Sequence, residues 1–472
     1  MSGPDVVIIG SGPNGLAAAV ALAQARVSVL VLEAAAELGG GTRTAELTLP
    51  GFAHDVCSAV HPMGILSPFF RTLPLEQHGL RWIRPQASVA HPLDDQPAVL
   101  LYRSLSETIA EFEADGPAYR KLVAPFLSDF PWLFADALGP LQLPRHPLMM
   151  LRFGLRAIRS AVGLARRFRT VRARALLAGC AAHSILPLDR LLSGAPGLLF
   201  LLTGHAEEWP VAAGGSHAIT RALASLLGAL GGRIETGVRV RSMADLPEAR
   251  LYLFDTSPEE LAKIAAPVLP PSYVRRLRRY RYGPGVFKLD FALRGSIPWR
   301  DRRCLKASTV HLGGTLEEIA AAEAAVFAGE HPERPYVIVT QQSEFDPSRA
   351  PAGMHTGLAY CHVPSGSTVD LTDVLERQLE RFAPGFAELI LSRHVTMTTD
   401  LANYNPNYVG GAITGGVADL FQLFTRPVAR LNPYTTPNPR LLICSASTPP
   451  GGGVHGMCGY YAAKTALRRL GA

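Results

Sequence analysis

The stretch Val6-Val-Ile-Ile-Gly-Ser-Gly-Pro-Asn-Gly-Leu-Ala-Ala-Ala19, followed by Val27-Ser-Val-Leu-Val-Leu-Glu33, constrains this chain more than any other feature. It reads as strand, glycine turn, helix, strand and acid, the order of a unit that cradles a dinucleotide. Gly10 permits the tight turn out of the first strand, Gly12 lets the backbone approach a pyrophosphate, and Gly15 lets helix and strand pack closely. Pro13 and Asn14 complete the turn, and the helix N-terminus behind it offers free N–H groups and a favourable dipole to an anion. Glu33 lies 23 residues after Gly10, at the end of the second strand, where a carboxylate can accept both hydroxyls of an unphosphorylated ribose. The strand is apolar throughout, as a buried parallel strand should be, and the helix is alanine-rich enough to lie flat on a sheet.

A second glycine cluster, Gly39-Gly40-Gly41-Thr42-Arg43, follows almost at once. Glycines there bring backbone N–H groups within reach of phosphate, and Arg43 can add a charge-assisted bond to it or to a flavin edge. An NAD domain rarely needs such a loop, so the pair of turns points to FAD.

A chain of 472 residues is too long for one core and suggests two domains, with an apolar fraction of 48% that suits a globular protein. The first strand starts at residue 6, which argues against a signal or transit segment, and no apolar run approaches the roughly 20 residues of a spanning helix. A cytoplasmic protein is expected. Six scattered cysteines without CxxC spacing argue against a disulfide scaffold, and no metal site is expected.

The net charge of +7 is concentrated in part on one apolar stretch beginning near Leu148, which carries Arg152, Arg156, Arg159, Arg166, Arg167, Arg169, Arg172 and Arg174. Two readings stand: a peripheral membrane contact through residues 148–176, with guanidinium groups on lipid phosphates at the inner face of a membrane, or a cap helix with a solvated basic face. The run Arg275 to Arg281 reads as a solvated turn of helix. Neither run comes with a nucleic-acid-binding module, so no nucleic acid is expected.

Along the chain, a hairpin is predicted over Ala87 to Tyr102, and Ser104 with Glu107 has the spacing of a capping box. Helical patterns dominate to about residue 205. A helix Ala218 to Leu230 then leads to a strand Arg233 to Val240 that can return to the nucleotide sheet. Alternating strands such as Val286 to Leu293, Tyr336 to Thr340 and Leu358 to Val363 suggest a separate sheet. The last strand, Leu441 onward, enters a glycine run, Gly451-Gly452-Gly453-Val454-His455-Gly456, from which a helix leaves. The expected fold is α/β, with a Rossmann-like FAD-binding domain (1–85, 206–285 and 426–472) interleaved with a substrate domain of mixed sheet and helical cap (86–205 and 286–425).

With these motifs in place, the chain resembles the phytoene-desaturase-like FAD-dependent oxidoreductases, which include carotenoid and retinoid oxidoreductases and share a core with the amine oxidases. The resemblance covers nearly the whole chain and rests on GSGPNG with Glu33, GGGTR, WPVAAGGS at 209–216, FKLDFAL at 287–293, NPNYVGG at 405–411 and STPPGGGVHGMCGYYAA at 447–463. It implies that Gly10, Gly12, Gly15, Glu33, Gly40 and Arg43 bind FAD, that the backbone of Val240 holds the adenine, and that Gly452, Gly453 and Val454 sit beside the flavin ring. Gly41 and Thr42 belong to the same loop. Relatives carry an acid just before the C-terminal glycine run; here Ser445-Ala446 stand instead, so a hydroxyl or backbone N–H must replace it. The segment from Val240 to Pro258 reads as a compact linker.

Flavin chemistry asks few acids of the protein. Candidate catalytic residues are His455 in the C-terminal glycine loop, His61 and Asp55 after the GGGTR loop, and Tyr404 and Tyr408 before the last strand. His455 ranks first because its loop should touch the ring. The resemblance implies a desaturase or dehydrogenase that passes hydride from an apolar isoprenoid, carotenoid or lipid-like substrate to flavin N5, with a quinone or oxygen as electron acceptor. The alternatives are an amine or alcohol oxidase using oxygen, with Tyr460 and Tyr461 as an aromatic cage, and a flavin-dependent isomerase or saturase. No second GxGxxG follows Glu33, which argues against a built-in NAD(P)H domain.

Overall fold

A computed structural model describes residues 3–141 and 143–472 of the chain. The dinucleotide unit forms as the sequence requires. Four fully apolar residues make the strand Val6–Ile9, Gly10 turns it with φ of 105°, and Pro13 opens the helix Pro13–Gln24. Proline suits a first helical turn because its missing N–H would have had no partner there. The strand Val29–Leu32 then pairs in parallel with the first.

Three distant segments complete this sheet. It has five parallel strands in the order Leu441–Ile443, Leu251–Phe254, Val6–Ile9, Val29–Leu32 and Arg233–Glu235. The predicted strand from Arg233 to Val240 therefore ends at Glu235. The segment read as a linker between Val240 and Pro258 contains the strand Leu251–Phe254, which lies inside the sheet with a neighbour on each side. Four apolar residues between charged neighbours are too short a run to announce a strand by periodicity, and pairing on both edges supplies what periodicity cannot.

The helix Pro13–Gln24 is buried along most of its length because two other helices cross it. One is His217–Ala229, and the other is the C-terminal helix Met457–Leu470. The second crossing is close enough that a Cβ on Gly459 would stand 1.8 Å from the Asn14 carbonyl oxygen. Only glycine allows this contact. It draws the C-terminal glycine run against the N-terminal turn.

The second sheet is mixed and has seven strands in the order Ile390–Thr396, Gly285–Leu293, His355–Val363, Val337–Thr340, Ala307–Leu312, Ala87–His91 and Val99–Leu101. Ala307–Leu312 runs parallel to Ala87–His91, and the other neighbours are antiparallel. The strand Gly285–Leu293 shows how the two faces divide. Phe287, Leu289 and Phe291 enter an apolar core, while Lys288 and Asp290 form a buried ion pair on the other face. The hairpin over Ala87 to Tyr102 forms, and the Ser104 hydroxyl accepts the Glu107 N–H at 3.3 Å to start the helix Leu105–Ala110.

The basic stretch is not one helix. It breaks into Pro147–Ala157, Ala161–Ala165 and Val171–Ala182, with Ser160 and Thr170 capping the last two. The third is largely buried, and its arginines pair with other elements: Arg172 lies 2.6 Å from the part-buried Glu111, and Arg174 bonds the exposed Glu317. The first helix presents a row of large apolar side chains outward, namely Leu148, Leu151 and Leu155. Within the predicted 148–176 surface, the exposed large apolar side chains therefore concentrate in the first third. Among the described residues, no helix is long and apolar enough to cross a membrane.

Candidate functional site

One cavity of about 1630 Å³ runs between the two sheets. Its wall collects Gly10, Gly12, Pro13, Asn14, Glu33, Gly40, Gly41, Thr42, Arg43, Val240, Ser445, Gly452, Gly453 and Val454, together with His61, Tyr404 and Tyr408. The three glycine turns, far apart in sequence, thus face a shared space. Gly15 lies beneath the wall, where a Cβ would stand 2.2 Å from the Gly10 carbonyl oxygen.

Glu33 is already held in a defined pose. One carboxylate oxygen accepts the Ser11 N–H at 2.9 Å and the Ser11 hydroxyl at 2.6 Å, and the other accepts the Ala35 N–H at 2.9 Å and an Arg43 N–H at 3.2 Å. Arg43 also lies 5.2 Å from the centre of the Tyr404 ring. The Tyr404 hydroxyl donates to the Gly40 carbonyl at 2.8 Å, and burial, opposed by Arg43, pushes its pKa up to about 12. Tyr404 braces the second glycine loop and stays protonated.

Two candidates leave the reacting space. His455 lies behind the wall rather than on it, fully buried, with Nδ1 accepting the Met457 N–H at 3.0 Å. Burial pushes its pKa down to about 4, only partly offset by the Gly452 and Gly451 backbone, so it is neutral at physiological pH. It bonds the backbone at the start of the C-terminal helix. Asp55 is likewise sealed off. It accepts from Ser216 N–H at 2.8 Å and from Arg349 at 2.6 Å, and although burial favours its neutral form, Arg349 and the Ser216 bond outweigh it and lower its pKa.

His61 remains on the wall. Its Nε2 lies 2.9 Å from the Ser216 hydroxyl, and burial brings its pKa down to about 4, with Asp55 opposing. It is therefore a neutral hydrogen-bonding group between Ser216 and the cavity. Tyr460 and Tyr461 form no cage there: Tyr460 stacks on Phe69 at 4.6 Å and Tyr461 on Tyr434 at 6.2 Å, and neither lines the cavity.

The structure adds residues that motif reading missed. Asp255 follows the unrecognised strand Leu251–Phe254 and lies under the first glycine turn, where its carboxylate accepts the Gly15 N–H at 2.8 Å. A Cβ on Gly12 would lie 2.8 Å from the same carboxylate. Burial, with Glu33 adding and the Gly15 bond opposing, raises the Asp255 pKa to about 7. The one sequence signal for it is the run Leu-Tyr-Leu-Phe-Asp-Thr-Ser-Pro at 251–258, in which an acid and a helix cap follow an apolar tetrad. Arg426 is buried on the wall and donates to the carbonyls of Gly415, Ala446 and Ser447, which shapes the loop before the C-terminal glycine run. There the Ser445 and Ser447 hydroxyls lie 2.6 Å apart, and both residues face the cavity.

Beyond the glycine turns the cavity becomes apolar. Met150, Phe153, Ile185, Leu186, Leu199 and Phe200 line it from the helical cap, and Leu141, Leu151, Leu155, Ile158, Phe424 and Leu431 form its exposed rim.

Comparison with known proteins agrees with this layout. Residues 8–73 match the family model described as an NAD(P)-binding Rossmann-like domain. The chain is 26% identical to pyridine nucleotide-disulfide oxidoreductase domain-containing protein 2 of Rattus norvegicus, over 99% of this chain and 94% of the relative. A shorter match, 34% identical over 113 residues, covers 24% of this chain and 20% of a limonene dehydrogenase polypeptide of Castellaniella defragrans. Cyclohexylamine oxidase from Brevibacterium oxydans superposes over 100% of both chains with a TM-score of 0.59 at 17% identity. At that identity the likeness concerns architecture. The fold is α/β, a parallel Rossmann-like sheet joined to a mixed sheet, in the arrangement of amine-oxidase-like oxidoreductases.

Proposed function

We propose that the chain is an FAD-dependent oxidoreductase acting on an apolar substrate, a dehydrogenase or desaturase of the phytoene-desaturase-like kind. The observation that carries this reading is the single cavity in which three glycine turns meet an apolar compartment under a helical cap. A dinucleotide fits the residues present. The helix Pro13–Gln24 has glycine at its N-cap and so no side-chain cap from that position, the buried Asn14 side-chain oxygen has no partner among the described residues, and the glycine turns leave no room for Cβ atoms. FAD, when bound, would supply the hydride acceptor.

The protein's own part is positioning. Glu33, held by Ser11 and Arg43, would receive ribose hydroxyls. The glycine turns admit the diphosphate to backbone N–H groups, and the cap excludes water from the apolar compartment. Neutral His61 and protonated Tyr404 offer hydrogen bonds without charge. The exposed apolar rim, with Arg145, Arg152, Arg156 and Arg159 beside it, suits a membrane surface from which such a substrate would be drawn, with a quinone or oxygen as acceptor. The similarity to the limonene dehydrogenase polypeptide supports an apolar substrate. Likeness to cyclohexylamine oxidase supports an amine oxidase as the second reading, which the absent tyrosine cage weakens.

Anaerobic titration of the flavin-loaded protein with polyenes and then with amines tests the proposal. Bleaching of the flavin band by a polyene or other apolar chain is the expected result. Bleaching only by amines would replace the first reading with the second. Glu33→Ala should weaken FAD binding by about tenfold to a hundredfold, the worth of a charge-assisted hydrogen bond, and unchanged affinity would remove Glu33 from the ribose site.

A further inference from the structure

The cavity-side face of the mixed sheet is unexpectedly polar. Leu358, Tyr360 and His362 alternate along the strand His355–Val363, and register puts Ile338 beside Tyr360 and His311 beside Ile338 on the same face. The opposite face, with Val337, Val339, Ala359 and Cys361, belongs to the apolar core. His362 Nδ1 lies 2.9 Å from a carboxylate oxygen of Glu323, on the helix Leu316–Ala328, and their side chains are only 1% and 2% exposed. His183, from the cap, meets His311 with the two Nε2 atoms 3.0 Å apart. A chain of ring contacts joins His183 to His311 at 5.0 Å, His311 to Tyr336 at 5.6 Å, and Tyr336 to His362 at 6.1 Å. His183, Tyr360 and His362 line the cavity. One row along, the hydroxyls of Thr309 and Thr340 line it too; they are register partners, both buried, with no hydrogen-bond partner among the described residues.

Packing does not explain this cluster. A buried carboxylate–imidazole pair costs several kcal/mol of desolvation per ion, and apolar residues of the same volume are often as stable or more so. What the pair does fix is the imidazole: Glu323 draws the Nδ1 proton, which leaves Nε2 as the ring atom available to a ligand. Burial, with His362 adding, brings the His183 pKa down to about 3, so His183 and His311 share a neutral hydrogen bond. This end of the cavity therefore presents the Tyr360 side chain and a ring nitrogen of His362 to a ligand. A hydroxyl can both donate and accept there.

We infer that the Tyr360–His362–Glu323 cluster is a recognition subsite for a hydroxyl group, so that the substrate is an apolar alcohol, with its chain in the cap and its oxygen on this sheet face. The inference rests on the apolar-substrate reading above and narrows it. Its test is an equilibrium titration of the flavin-loaded protein with farnesol, farnesene and farnesylamine, followed by tryptophan emission, since Trp209 lines the cavity 5.6 Å from the His183 ring.

Farnesol should bind about tenfold more tightly than farnesene, the worth of one or two neutral hydrogen bonds. His362→Asn keeps an amide N–H for Glu323 and deletes Nε2, and Tyr360→Phe deletes one oxygen. Each should lower farnesol toward the affinity of farnesene while leaving farnesene unchanged. Equal affinities in the unsubstituted protein, a preference that survives both substitutions, or tightest binding of farnesylamine would each overturn the subsite. Binding of none of the three would overturn the apolar-substrate reading itself, and the subsite with it.

Discussion

The two walls of the cavity are built by opposite means. The nucleotide wall is built mainly of backbone: glycine turns, a helix N-terminus with glycine at its cap, and one carboxylate held by Ser11 and Arg43. The apolar side is held together by side chains that are buried and paired across long sequence distances, Asp55 with Arg349 behind the wall and Glu323 with His362. Backbone recognition suits a ligand whose phosphates never vary. Side-chain recognition can be retuned one residue at a time, which fits a fold that hosts many substrates. The difference also predicts how each wall fails when altered.

The largest effect is expected on the substrate side. Arg349→Met strands the sealed Asp55 carboxylate and should cost about 3–5 kcal/mol, measured as the loss of unfolding free energy in denaturant. Adding Asp55→Asn should recover much of it. The same pair sets an acid limit. Because the Asp55 pKa is lowered in the folded chain, its stabilisation is complete above the ordinary carboxylate value of 3.8 and is lost as pH falls through the folded value. If Arg349→Met cost less than a surface substitution, the side-chain wall would not be held together by its ion pairs.

On the nucleotide side the corresponding failure is steric. Gly459→Ala drives a Cβ into the Asn14 carbonyl, which is backbone and cannot step aside, and should cost about 1–3 kcal/mol together with much of the FAD affinity. A calorimetric melting temperature equal to that of the unsubstituted chain would show that the two terminal turns are not pressed together.

Asp255 is the exception that sharpens the contrast, a side chain within the backbone wall. Its pKa of about 7 exceeds the unfolded value of 3.8, so between these pH values the folded chain binds the extra proton. Stability should therefore fall as pH rises from about 4 to 7 and level off above. Asp255→Asn should flatten that slope and, in the same window, the pH dependence of FAD binding. A slope unchanged by the substitution would remove Asp255 from the account.

The smallest effect on stability belongs to the rim. Leu155→Asp should change unfolding free energy by less than about 0.5 kcal/mol while reducing sedimentation with anionic phospholipid vesicles. Unaltered vesicle binding would argue for a rim that meets solvent only.

What could be read from the chain follows the same division. Gly10, Gly12, Gly15 and Glu33 are legible because a βαβ turn is local: every requirement falls within one short window and leaves glycine as the only solution. The capping residue Ser104 and the alternation in Phe287-Lys-Leu-Asp-Phe291 are legible for the same reason. Asp255 was not, since its strand is short and is identified by the neighbours it pairs with, one near the N-terminus and one near the C-terminus. His455 misled because a glycine loop specifies where a backbone goes and not which way a side chain turns; the histidine turned inward to brace the loop.

The arginine stretch was legible only in part for a related reason. Apolar and basic periodicity describes a face, but Glu111 and Glu317, which take up Arg172 and Arg174, come from elsewhere in the chain. The sequence by itself determined the nucleotide unit and the alternation of the second sheet, because both rest on bonds and periods spanning a few residues. Only the tertiary structure decided which polar side chains meet across the cavity, because a buried charge is stable only beside its partner and the partner is chosen by packing.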